Sequence, residues 1–137
     1  MASPAVYSRR IQLPQGAPDL EVVRYPAGTV IFCEGSPGYR AFIVQSGLVE
    51  ISKVGPKGEK VIGYVGGGEI FGELAPLDVE PRMASATAVK ETMCIVMPEQ
   101  LLRSRLAEAD PFVRDLLFVM VRGMRQVTQD FLSKQNP

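Results

Sequence analysis

Between residues 20 and 97 the chain is a series of short apolar runs: LEVVRY (20–25), TVIFCE (29–34), RAFIVQ (40–45), LVEISKV (48–54), KVIGYV (60–65), SATAV (85–89) and TMCIVM (92–97). Glycine and proline cut them apart as PAG (26–28), GSPG (35–38), SG (46–47), GPKG (55–58) and GGGE (66–69). Runs this short, spaced at roughly ten-residue intervals and bounded by turn residues, read as strands of a sandwich or barrel. The predicted fold class is mainly β: an antiparallel β-roll, or jelly-roll-like barrel, followed by two C-terminal helices.

Outward from that stretch the texture changes on both sides. Residues 1–19, rich in Pro, Gly, Ser and Ala, read as a loose arm with one strand near Val6–Leu13. Beyond Met97, Pro98-Glu99 opens a short helix through about Leu106, with proline at its first position. Asp110-Pro111 repeats the signal as N-cap and first helical residue. The long helix that follows, to about Ser133, carries Val113, Leu117, Met120, Met124, Val127 and Phe131 in steps of four and three. That is a coiled-coil-like seam about 35 Å long. Two fates are open to it: packing against the β-roll, or a homodimer. Gly123 lowers the propensity of this helix and offers a hinge by which Thr128, Gln129 and Phe131 would swing as a lid. The 137 residues are read as one domain, with the β-roll over 20–97 and the helices over 98–134.

Composition narrows the chemistry. Fifteen basic residues balance fifteen acidic ones, so no broad footprint for nucleic acid is expected. There is no histidine, which removes His-dependent metal sites and Ser-His or Cys-His nucleophile pairs and leaves a cupin-type enzyme with little to work with. Cys33 and Cys94, each inside an apolar run and without CxxC spacing, read as buried free thiols. No apolar run is long enough to span a bilayer, and the N-terminus lacks the apolar core of a signal peptide, so a cytoplasmic location is expected.

One segment carries chemistry: GGGEIFGELAPLDVEPRMASATA, residues 66–88. Its glycines allow close backbone approach. Gly72-Glu73-Leu74-Ala75 resembles a strand-to-helix junction, whose outward N–H groups favour an anion. Arg82 is the only cation between Lys60 and Lys90, and an arginine there would grip one phosphate through two parallel N–H bonds. Glu73 is an acceptor suited to sugar hydroxyls, so the set suits a phosphorylated ribose. On residue types alone a Glu73–Arg82 salt bridge closing a loop accounts for the same pattern.

FGELA (71–75) followed by PRMAS (81–85) resembles the phosphate-binding cassette of the cyclic nucleotide-binding domain, here spanning 71–85. That family includes the catabolite activator proteins, the regulatory subunits of cAMP-dependent kinase and the cyclic-nucleotide-gated channels. AGTVIFCEG (27–35) and AFIVQSGLVEI (41–51) resemble two further blocks of its pattern. The resemblance implies a role for each matching residue. Glu73 would accept from the ribose 2′-OH, with Gly72 permitting close approach and Leu74 and Ala84 completing the cassette. Arg82 would pair with the cyclic phosphate beside the main-chain N–H groups of Ala75 and Met83. Ile51 and Ile62 would line the base pocket, although plain core positions explain those two equally well. Pro76 replaces the usual leucine but falls in the first turn of the expected helix, where its missing N–H costs little. Met83 stands where cGMP-selective members carry threonine, and a thioether donates no hydrogen bond to guanine.

The expected function is a non-enzymatic sensor of cAMP, with cGMP as the second candidate ligand. It would have no cofactor, no catalytic residues and no metal. The alternative is an interaction module of the same fold with a degenerate pocket. The 137 residues contain no helix-turn-helix, kinase, cyclase or channel segment, so two outputs are open: a stand-alone sensor acting on an effector protein, or a piece of a longer chain.

Overall fold

In the computed structural model, which describes residues 10–72 and 80–134 with side chains through residue 130, the apolar runs become eight strands among the described residues. They are β1 (Val22–Tyr25), β2 (Val30–Phe32), β3 (Arg40–Ser46), β4 (Val49–Gly55), β5 (Gly58–Val65), β6 (Ile70–Phe71), β7 (Ser85–Ala88) and β8 (Thr92–Pro98). Two helices follow, α1 (Glu99–Glu108) and α2 (Pro111–Lys134). The strands pair antiparallel in two four-stranded sheets, ordered β1-β8-β3-β6 and β2-β7-β4-β5. This is the mainly β architecture read from the sequence, a β-roll that does not close into a barrel.

Side-chain alternation explains how the sheets are packed. Along β3, Phe42 and Val44 point between the sheets, where they meet Val49, Val65, Phe71, Ala86, Cys94 and Val96. Ala41 and Ile43 face the other way and, with Met97, pack on Leu101 and Leu102 of α1. A strand buried on both faces needs a continuous apolar run, and AFIV is one. Phe32, Phe42 and Phe71 stack with ring centroids 5.1–6.0 Å apart. Each such side chain contributes on the order of 1.5–3 kcal/mol by leaving water. The β3–β4 turn depends on Gly47, whose φ is +113° and where a Cβ would lie 2.6 Å from the Thr92 Cα.

Several expectations need correction. β6, absent from the apolar runs, is the short strand implied ahead of the junction at Gly72; its two residues pair with Phe42 and Ile43. Pro98 closes β8 opposite Arg40 and caps α1 in an extended conformation, so the helix begins at Glu99. Of the expected strand near Val6–Leu13, the described part holds a single bridge, Arg10 to Glu69. The described arm is also fastened at two points: the Ile11 N–H donates to the Gly68 carbonyl and Arg105 donates to that of Gln15. Both cysteines are free thiols, but Cys33 is exposed and only Cys94 is buried.

α2 starts as expected, with Asp110 Oδ1 accepting from the Phe112 N–H at 2.8 Å. Its inward face is a different one from the seam. Val121 is buried, with Leu117 and Phe118 half-buried, whereas Val113, Met120, Met124 and Val127 are 49–67% exposed. Packing against the β-roll is therefore not the fate of those four. The Phe131 side chain lies outside the described residues. The helix runs unbroken through Gly123. No helix among the described residues is long and apolar enough to cross a membrane.

Candidate functional site

Arg82 sits where the chain re-enters the β-roll ahead of β7. Its backbone is clamped by the loop after β2: the Arg82 N–H donates to the Ser36 carbonyl at 2.9 Å, and the Gly35 N–H donates to the Arg82 carbonyl at 2.8 Å. The side chain turns inward and is only 6% exposed. Nη1 donates to the Gly72 carbonyl at 2.7 Å and Nη2 to the Arg40 carbonyl at 2.8 Å. The guanidinium lies over the Phe32 ring, 4.1 Å from its centroid. Two carbonyls and an aromatic face thus fix the plane of the fork, as a planar cation permits and an ammonium does not.

Beside Arg82 opens a cleft of about 480 Å³. On the β-roll side it is lined by Glu34, Lys53, Glu80 and Met83, and on the α2 side by Arg122, Arg125, Gln126 and Gln129. Among the described residues that makes, with Arg82, four cations against two carboxylates, a balance suited to an anionic ligand. Beneath the cleft, Lys53 Nζ donates to the Met83 carbonyl at 2.7 Å and to Glu34 Oε2 at 3.1 Å. Glu34 Oε1 accepts from the Val54 N–H at 2.8 Å. This part-buried pair ties β4, the loop after β2 and the approach to β7 into one support. α2 is fastened to the same place, since Arg125 Nη1 donates to the Pro81 carbonyl at 2.9 Å.

The structure therefore brings Gly72, Arg82 and Met83 together at one rim of the β-roll. Ala84 is buried just behind them. Ile51 is half-buried against the inter-sheet core, Ile62 is exposed, and neither lines this cleft. Glu73, Leu74, Ala75 and Pro76 lie outside the described residues. Glu34, Lys53 and Arg125 were not anticipated from the sequence. One available signal was a lysine inside the strand run LVEISKV.

A family model described as the cyclic nucleotide-binding domain matches residues 22–109. The chain is 36% identical over 112 residues to a CRP-like cAMP-activated global transcriptional regulator of Mycobacterium tuberculosis, covering 81% of this chain and 50% of the relative. It is 30% identical to the cyclic AMP receptor protein of Thermus thermophilus, covering 74% of this chain and 48% of that one. The chain thus spans about half the length of these curated relatives. Among solved structures, an EAL enzyme in its cAMP-bound form superposes with a TM-score of 0.78 at 31% identity, over 80% of this chain and 29% of that one. The regulatory domain of Toxoplasma gondii PKA with cAMP does so with a TM-score of 0.61 at 33% identity, over 62% of this chain and 33% of that one.

Proposed function

The chain belongs to the cyclic nucleotide-binding domain family, and on that premise we propose that it is a cytoplasmic cAMP sensor that binds its ligand without converting it. The observation that carries the reading is the held fork of Arg82 at the rim of a cleft whose described lining is net-cationic. Carbonyls of Gly72 and Arg40 orient the guanidinium before any ligand arrives, so little ordering entropy remains to be spent on binding. In this reading Arg82 takes the cyclic phosphate with the main-chain N–H groups of Ala75 and Met83. Glu73 accepts from the ribose 2′-OH, and Gly72, Leu74 and Ala84 shape the cassette. Ile51 and Ile62 would serve the base only beyond the described lining of this cleft.

The Met83 side chain offers no donor to a guanine edge, which favours adenine. Arg82 and Glu73 hold and orient; neither activates water, and the chain has no histidine to shuttle a proton. The Arg125–Pro81 bond places α2 where a change in the cassette is felt directly. An effector protein, or further parts of a longer chain, would read that change.

Titration calorimetry with cAMP and cGMP tests the proposal. Binding of cAMP, tighter than cGMP, is expected. At a hundred times its Kd the nucleotide should add about 2.7 kcal/mol of stability in thermal unfolding. Absence of both heat and stabilisation would favour the interaction module with a degenerate pocket.

A further inference from the structure

We infer that Gly38 is a positioning residue for Arg82: its missing side chain makes the slot that holds the guanidinium. The inference rests on reading Arg82 as the anion-binding group. Glycine at 38 is not explained by backbone conformation. Gly35, in the same GSPG turn, has a φ of +82°, but Gly38 lies outside the left-handed region and would accept an L-residue without strain. What excludes a side chain there is space. A Cβ on Gly38 would fall inside contact distance of Arg82 Nε and Cζ, and 2.6 Å from Nη2.

The guanidinium cannot yield inward. Phe32 lies under it, and Phe42, part of the inter-sheet core, stands next to that ring. Nor can the Arg82 backbone follow, because Gly35 and Ser36 bond it on both sides. Gly72 forms another wall, where a Cβ would come within 2.8 Å of Nη1. Its φ of +76° already calls for glycine, however, so only Gly38 isolates the steric effect. Alanine at 38 must therefore rotate the fork off the Arg40 and Gly72 carbonyls and lose its orientation toward the cleft.

The test is a double-mutant cycle of Gly38→Ala and Arg82→Ala, read both by nucleotide-free thermal unfolding and by cAMP titration. With Arg82 intact, Gly38→Ala is expected to lower the melting temperature and weaken cAMP binding roughly tenfold or more, tenfold being about 1.4 kcal/mol. In the Arg82→Ala background the added Cβ meets no guanidinium, so Gly38→Ala should change neither readout, the signature of coupled neighbours. Equal effects in both backgrounds, or wild-type cAMP affinity in the Gly38→Ala single variant, would overturn the inference. If wild type binds no cyclic nucleotide, the functional reading fails, and the nucleotide-free melts alone still decide whether Gly38 positions Arg82.

Discussion

Burying a guanidinium is costly unless its donors are met and its face is covered; at Arg82 the carbonyls of Gly72 and Arg40 take one donor from each terminal nitrogen and the Phe32 ring covers a face. The same contacts make the residue a pre-aimed anion receptor. Arg82→Ala should therefore cost roughly 2–5 kcal/mol of cAMP binding free energy, and Arg82→Lys should recover only part of it. Calorimetry on variants shown to be folded measures this, and an unchanged affinity in Arg82→Ala would remove the residue from the site. A second residue governs alkaline stability. Burial pushes the Cys94 thiol from 9.0 up to about 11, so the unfolded chain gives up this proton before the folded one does. The contribution is whole below pH 9 and is lost as pH rises toward 11, up to about 2–3 kcal/mol. Urea unfolding of wild type and Cys94→Ala at pH 8, 10 and 11 checks the sign. Wild type should lose more stability than the variant across that range. Tyr25, whose hydroxyl is pushed up chiefly by burial and then by the Cys94 charge, keeps the burial part in both proteins, and the Cys94 part adds to the wild-type loss.

At the scale of an element, α2 shows what a single glycine costs. A Cβ at Gly123 would meet nothing within 4 Å, so Gly123→Ala should stabilise the protein by about 0.5–1 kcal/mol through helix propensity alone. A rise in the urea midpoint is expected; a fall would mean that the helix needs to bend there. The strands were legible because most apolar runs end on a glycine or proline, and at Gly47 the backbone demands the glycine. β6 was legible only as the strand entering the junction at Gly72, because two residues carry no period and its pairing with Phe42 and Ile43 is long-range. α2 was legible as a helix but not in its orientation. Its sequence carries two apolar faces, and spacing alone does not say that the one around Val121 is the buried one. The site divides in the same way. Gly72, Arg82 and Met83 were readable because the cassette is contiguous in sequence. Gly38 hid inside a turn signal, and the Glu34–Lys53 pair joins the loop after β2 to β4 across 19 residues, which no local pattern reports.

For the whole molecule the question is what covers the outer face of α2. Val113, Met120, Met124 and Val127 are mostly exposed, and Phe112, Leu116 and Val119 extend the apolar surface beside them. A contiguous patch of that kind marks an interaction surface more often than a solvated one. Its four-three spacing is that of a helix pairing with a copy of itself. A homodimer through this face would set two α2 helices side by side. Each would be tied to its own cassette by the Arg125–Pro81 bond, so nucleotide at one site would act directly on the shared seam. Met124→Glu places a charge in that seam without touching the cleft lining. Sedimentation at tens of micromolar should then show a dimer for wild type and a monomer for the variant. The variant should keep its melting temperature within a few degrees, because Met124 is half exposed in the single chain. A wild-type monomer with and without cAMP would rule the dimer out and leave the seam to a different protein. A variant that stays dimeric would move the interface to another surface.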